Sequence, residues 1–397
     1  MLEIEAFNGI LYNKEKISDI SKVIAPPYDV ISPDTQEKLY KLSPYNVVRL
    51  ILTKGEAPQK YEKAAKIYKE WRNKNILRSD DLPAIYVMLQ KFSYGGKSFT
   101  RKGFIALKKL SSGSVFPHEK TFSKPKEDRY SLMQTTHANF EEVFVLYSDK
   151  DKAMSKIIDA SIKKKPHFSG KEFDGTIVKL WKIQDPGIIE KIKKIMLNKK
   201  LLIADGHHRY ETAVKFSNEN KDLSPASDYI PLYFDCIEDK GILVLPILRM
   251  VRGADKENLK DFAQNAGKYF KVKKVKQLPV LKVGQLAAYV GKGVYYIIDV
   301  RDKSKIPAGR NLDLDILHEL IIGKVLNISS DDKHIVYTKD KKELVKMVDC
   351  GQFQMGFLMS GFLVKAALDI ASKGYLLPQK STYFYPKVPS GLVMREM

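Results

Sequence analysis

The stretch that most constrains this chain is Leu201-Leu202-Ile203-Ala204-Asp205-Gly206-His207-His208-Arg209-Tyr210-Glu211-Thr212-Ala213-Val214. Its apolar opening reads as a short buried strand, Asp205-Gly206 as a tight turn, and the remainder as the start of a helix. Five polar side chains, Asp205, His207, His208, Arg209 and Glu211, fall within seven positions at the strand-to-helix junction. Such a junction suits an anion: backbone N–H groups and the positive end of the helix dipole point outward, and a glycine lets the backbone approach a ligand closely. Arg209 offers a planar grip on phosphate or carboxylate, and Asp205 could hold a metal or orient a hydroxyl. The plain alternative is an Asp cap with two surface histidines. The stretch is not a P-loop, for it has no glycine run ending in Lys-Ser or Lys-Thr. Nor is it a zinc-protease helix, because the histidines are adjacent rather than four apart.

Other segments carry chemistry-bearing residues. Ala25-Pro26-Pro27-Tyr28-Asp29 presents Asp29 in a rigid loop. Arg49 lies in the apolar run Asn46–Leu52, which reads as a strand, and so needs a partner or a ligand. A hairpin is expected from Ala84 to Leu107, turning at Tyr94-Gly95-Gly96-Lys97. It leads to Phe116–Tyr130, where His118 and Glu119 suit an acid or base and its orienter, and Lys120, Lys124, Lys126 and Arg129 suit phosphate charge. Strands are expected at Val143–Tyr147 and Thr176–Ile183, with helices near Lys150–Lys165 and from Gly187 to Asn198. Tyr229–Cys236 and Gly241–Arg252 read as a strand pair turning at Asp239-Lys240-Gly241, Asp255–Tyr269 as a helix, and Leu286–Val290 with Gly293–Val300 as another strand pair. His318 and Glu319 sit on an amphipathic helix over Leu314–Val325 and read as packing residues. Phe353–Ala371 reads as a long apolar helix, followed by Lys380, Ser381, Thr382 and Lys387, an ammonium and hydroxyl cluster that fits phosphate.

Charge narrows the function classes. The chain of 397 residues carries a formal net charge of +21, which suggests an anionic partner: nucleic acid, a phosphate-bearing small molecule, or solubility alone. Lys and Glu enrichment hints at a thermophilic source. The two cysteines, Cys236 and Cys350, announce neither a disulfide framework nor a zinc site. No signal peptide or membrane-crossing run is apparent, so a cytoplasmic protein without a membrane partner is expected. Alternating strands and helices predict an α/β (α+β) fold. An N-terminal α/β region over 1–225 and a C-terminal region over 226–397 are expected to pack together.

Four blocks together resemble a known family. These are Ala25–Ile31, Pro117-His118-Glu119-Lys120-Thr121 with Asp128-Arg129, Asp205–Glu211, and Pro378–Lys387. They resemble the signature blocks of the domain-of-unknown-function family 1015, grouped with the ParB/sulfiredoxin-like superfamily. The resemblance implies a nucleotide-binding core with large insertions and an additional packed lobe. The Asp-Gly-His-x-Arg block is also similar to that of free-serine kinases, in which a glutamate close after a histidine is the catalytic base. That resemblance implies a kinase phosphorylating L-serine to O-phosphoserine with pyrophosphate, ADP or ATP as donor and Mg²⁺ as cofactor. It implies Glu119 as base and Asp205 as the residue that positions acceptor or Mg²⁺. His118, Gly206, His207, His208, Arg209, Arg129, Lys380, Ser381, Thr382 and Asp29 then serve as phosphate or substrate contacts. A homodimer is an expected assembly. The rival expectation is a ParB-like protein acting on DNA. Against it, no helix-turn-helix is recognisable and the basic residues are spread along the chain, so sequence-specific nucleic acid is not expected.

Overall fold

A computed structural model describes residues 1–117, 123–220, 225–302, 313–329, 333–359 and 382–397. The fold is α/β and divides into two units, Met1–Leu243 with Pro386–Met397, and Val244–Tyr385. The division expected after residue 225 therefore falls later. Tyr229–Cys236 is hydrogen-bonded into the first unit's sheet, so cutting before it would sever a central ladder. The C-terminal segment also returns to the first unit.

The first unit is built on nine strands: β1 (Ile4–Glu5), β2 (Ile85–Tyr94), β3 (Lys97–Lys109), β4 (Val115–Phe116), β5 (Val143–Tyr147), β6 (Phe168–Lys171), β7 (Ile177–Ile183), β8 (Leu201–Asp205) and β9 (Tyr229–Cys236). Their order is β4-β8-β5-β9-β3-β2-β7-β6, with β1 also on β3. Two parallel pairings, β8 with β4 and β9 with β5, interrupt an otherwise antiparallel sheet. The continuous apolar runs of β5 and β8 are wholly buried, as expected for strands covered on both faces. The β2–β3 hairpin turns at Gly95 and Gly96, both at positive φ, as its Gly-Gly pair predicts.

The helices used below are α1 (Pro33–Leu42), α2 (Val48–Ile51), α3 (Gln59–Asn73), α4 (Ser123–Thr136), α5 (Ala153–Ser161), α6 (Pro186–Met196) and α7 (His207–Glu219). Asp185 caps α6 by accepting from the Ile188 amide at 2.8 Å, and Pro186 supplies its first turn. Met154 and Ile158 of α5, Ile192 and Met196 of α6, and Ala213 and Phe216 of α7 join β5, β8 and β9 in one core. Burial of such side chains stabilises by roughly 1.5–3 kcal/mol each.

The second unit has a six-stranded sheet in the spatial order Lys271–Val275, Tyr295–Asp299, Gln285–Tyr289, Met355–Met359, Leu248–Val251, Ile335–Thr338. Its core gathers Phe262, Leu286, Ile298, Leu320 and Phe357.

Five sequence expectations change. Asn46–Leu52 is not a strand: the Asn46 side chain accepts from the Val48 amide at 3.0 Å and starts α2. Arg49 is satisfied there by the Tyr40 carbonyl at 2.8 Å and the Tyr40 ring at 4.3 Å, so it needs no ligand. Tyr229–Cys236 and Gly241–Arg252 are not a hairpin, since β9 pairs with β3 and β5. The Asp255–Tyr269 helix breaks into Lys256–Lys260 and Phe262–Gly267. Phe353–Ala371 is not one helix, because Met355–Met359 is a strand inserted between two neighbours. A short apolar run buried all round carries no period by which to tell helix from strand. Leu314–Val325 does form a helix, wound as a π-helix over Ile316–Val325, and His318 is a packed residue hydrogen-bonded to Arg249 at 3.3 Å. Among the described residues, no helix is long and apolar enough to cross a membrane.

Candidate functional site

The β8–Gly206–α7 junction forms as its sequence predicts. A register irregularity between Ile203 and Asp205 places one extra residue in β8 before Asp205 pairs with Phe144 of β5 at the end of the ladder. Gly206 then adopts φ 89°, a left-handed conformation that glycine takes without strain. A Cβ at this position would sit 3.0 Å from Arg209 guanidinium atoms, so the absence of a side chain also makes room for Arg209.

Asp205 is the hub. One oxygen accepts from Arg209 Nη2 at 2.8 Å and the other is ion-paired with Lys387 Nζ. Burial alone would raise its pKa, but the Lys387 ammonium and the Arg209 guanidinium outweigh it and hold the carboxyl below its ordinary range, with His207 adding to the effect. Arg209 also donates to the Glu142 carbonyl, while its Nε is buried with no hydrogen-bond partner. The Arg209 guanidinium is thus fixed at the helix start by Asp205 and the Glu142 carbonyl.

A second arginine lies on α4. Arg129 is ion-paired with Asp128 and with Glu141, the latter at 3.5 Å, and its guanidinium lies 4.0 Å from the Tyr28 ring centre. Glu141 in turn accepts from the Tyr28 amide at 3.1 Å and the Ser390 hydroxyl at 3.0 Å. Asp128 accepts from Lys60 at 2.5 Å and Tyr61 at 2.9 Å. Burial works against its ionisation, yet Arg129 and Lys60 bring its pKa down to about 2. Lys126 pairs with Glu211 of α7 at 3.0 Å, tying α4 to α7. Arg129, Glu141 and Arg209 border a cavity of about 40 Å³ walled by Leu132, Phe140 and Ile230. Beside it Glu142 is buried, its carboxylate near its own backbone amide and that of Val393 but in good hydrogen-bond geometry with neither. Burial pushes its pKa up to about 8, and its own backbone amide and Arg209 only partly offset this.

Lys387 is itself positioned from the core. Its carbonyl accepts from Gln90 Nε2 at 2.9 Å, and Gln90 Oε1 accepts from Arg101 Nε at 3.1 Å. Arg101 and its carboxylate neighbour Asp235, 3.8 Å away, are fully buried.

The structure thus joins four sequence-remote blocks: Ala25–Asp29, Lys126–Arg129, Asp205–Glu211 and Lys387–Ser390. Of the expected contacts, Gly206, His207, His208, Arg209 and Arg129 lie in or beside this cluster. His207 is buried and His208 half-buried. Asp29 is exposed but close enough to Arg209 to favour its charge. Thr382 is a buried residue opening the strand Thr382–Tyr385 of the second unit. His118, Glu119, Lys380 and Ser381 lie outside the described residues. Sequence reasoning missed Glu141, Glu142 and Gln90. Two adjacent carboxylates opening an apolar run, which must be buried with it, were the available signal.

Asp205 does not fit the role of Mg²⁺ ligand in this arrangement. Both its oxygens are taken by cations, and among the described residues no three His, Cys, Asp or Glu side chains are grouped to hold an ion. Asp205 instead orients Arg209 and Lys387.

A family model described as "Protein of unknown function (DUF1015)" matches residues 4–315. A search of curated proteins finds no match. Among solved structures, a conserved hypothetical protein from Pyrococcus furiosus is 13% identical with a TM-score of 0.37, covering 74% of this chain and 94% of that one. A free serine kinase in complex with AMP is 13% identical with a TM-score of 0.38, covering 70% and 86%. SbnI with C-terminal truncation from Staphylococcus aureus is 9% identical with a TM-score of 0.39, covering 72% and 85%.

Proposed function

The chain belongs to the family Protein of unknown function (DUF1015), and from the site it carries we propose that it is a phosphotransferase acting on a small hydroxylated acceptor, free L-serine first among them. The observation that carries this reading is the Asp205–Arg209–Lys387 cluster at a helix start. Buried cations fixed by a carboxylate are arranged before substrate arrives, which is what stabilising charge on a transferring phosphoryl group requires.

In the proposed reaction Glu119 takes the proton of the acceptor hydroxyl. The freed oxygen bonds to the terminal phosphorus of the donor, and the bond to the leaving phosphate breaks with its electron pair on the leaving oxygen. Arg209 and Lys387 neutralise charge on the phosphate oxygens, and Asp205 keeps both cations in place. Mg²⁺ belongs in this scheme as a companion of the donor phosphates, entering with the substrate. The donor is ATP, ADP or pyrophosphate; a donor that is mostly charge suits a site this rich in cations.

The test is direct. Purified protein with Mg²⁺, L-serine and each donor in turn is assayed for O-phosphoserine, and Glu119→Gln is expected to abolish turnover while leaving donor binding intact. No O-phosphoserine with any of the three donors removes serine as acceptor, and full activity in Glu119→Gln removes Glu119 as base.

A further inference from the structure

A second basic feature lies in the first unit, and none of its lining residues belongs to the Asp205 cluster. It is a cleft of about 450 Å³, within the size range of small-ligand pockets. Its lysines come from three separate places in the chain. Lys14 follows the strand Ile10–Tyr12, Lys164 and Lys165 follow α5, and Lys182 lies in β7. The Trp181 indole donates to the Lys164 carbonyl at 2.7 Å, so the lysine loop is pinned to the cleft wall. His167 enters from the start of β6, its amide held by the Leu180 carbonyl at 2.6 Å. The floor is apolar: Trp181 and Ile183 are buried core residues that also line the cleft.

Charge in the cleft is unbalanced. Lys182 is ion-paired with Asp80, whereas Lys14, Lys164 and Lys165 form no ion pair among the described residues. The single lining carboxylate, Asp185, caps α6. An adjoining hollow of about 280 Å³ shares Lys14, His167 and Lys182; of its carboxylates Asp80 pairs with Lys182, Asp81 pairs with Arg78 at 3.2 Å, and Glu15 lines this hollow, which Lys164 and Lys165 do not. The crowding also registers in the titrating groups. Burial, then Lys182 and Lys14, bring the His167 pKa down to about 4, and burial, then Lys182 and Lys165, lower that of Lys14. Like charges gathered from separate elements around one concavity raise a positive potential that a bound anion relieves.

We propose that this cleft is a second anion site, taking a small organic phosphate whose charged group sits among Lys14, Lys165 and Lys182 and whose apolar body lies against Trp181 and Ile183. The ligand class follows from the pairing of cationic rim with aromatic floor. Inorganic phosphate would use only the first, and a neutral nucleoside only the second.

The test uses the full chain at physiological salt and titration calorimetry with AMP, inorganic phosphate and adenosine as probes. The Lys14→Glu/Lys165→Glu variant changes two exposed side chains, and its melting curve should match that of the wild type. Expected are AMP binding tighter than either inorganic phosphate or adenosine, and loss of one AMP-binding event, or its weakening by at least about tenfold, in the variant. Unchanged AMP affinity in the variant overturns the proposal. So does duplex DNA binding that persists at physiological salt and is lost in the same variant, for the cleft would then serve a phosphodiester backbone. Neither result depends on whether the protein makes O-phosphoserine, so the two readings fail separately.

Discussion

Replacing Asp205 with Asn tests the electrostatic core of the site. The substitution preserves shape and removes one negative charge from between Arg209 and Lys387, whose side chains are only 10% and 11% exposed. Stranding a buried charge by deleting its partner costs about 3–5 kcal/mol. Asn retains one carbonyl acceptor and is less costly to bury, so the lower end, about 3 kcal/mol, is expected at pH 7. At about 2–4 °C per kcal/mol for a unit of this size, the melting temperature should fall by about 10 °C. The sign of the pH dependence follows from the lowered pKa of Asp205. A carboxyl whose folded pKa is depressed contributes stability fully above its unfolded value, near about 3.9, and loses it as pH falls through the folded value. The deficit of the variant should therefore be complete at pH 7 and shrink on acidification below about pH 4. Calorimetric melts of both proteins from pH 7 down to pH 3 measure this. Equal melting temperatures at pH 7, or a deficit that acid does not reduce, would refute the reasoning.

Glu142 carries the opposite sign. Its pKa is raised to about 8, so its contribution is intact below the unfolded carboxylate value and is lost as pH climbs towards 8, at most about 1.4 kcal/mol per pH unit. Glu142→Gln should flatten that decline, making the variant the more stable protein at pH 9; parallel stability profiles from pH 5 to 9 would argue against a buried neutral acid. Gly206→Ala forces a left-handed φ on alanine, costing about 1–2 kcal/mol, and crowds the Arg209 guanidinium. Donor affinity, read by thermal protection, should fall along with stability, and a variant that loses stability alone would separate the glycine from the binding role. Duplex DNA should bind weakly, without sequence preference, and be lost steeply with salt; a salt titration on specific and scrambled duplexes that finds sequence discrimination at physiological salt would restore the DNA-acting reading.

The amino-acid order alone accounts for the strand–turn–helix at Leu201–Val214, because an apolar run, Asp-Gly and a polar helix start are local signals that each favour one backbone conformation. It likewise determined the β2–β3 hairpin and the Asp185-Pro186 start of α6, where turn and cap chemistry act within a few residues. It also marked three of the blocks that meet Asp205, as polar clusters beside prolines or at helix starts. Which cation faces which carboxylate is set by long-range packing. Lys387 reaches Asp205 across 182 positions of sequence, and Glu141 gathers Tyr28, Arg129 and Ser390 from three different elements. Pairings of that range leave no periodicity along the chain. For the same reason Arg49 read as a candidate ligand contact until the fold supplied the Tyr40 carbonyl, and Met355–Met359 read as helix until two neighbouring strands supplied its hydrogen bonds. From the sequence, Asp205 could hold a metal or orient a hydroxyl, since a carboxylate at a turn can meet either a cation or a donor. The fold delivered two cations from the protein itself, Lys387 and Arg209, which take up both oxygens of the carboxylate.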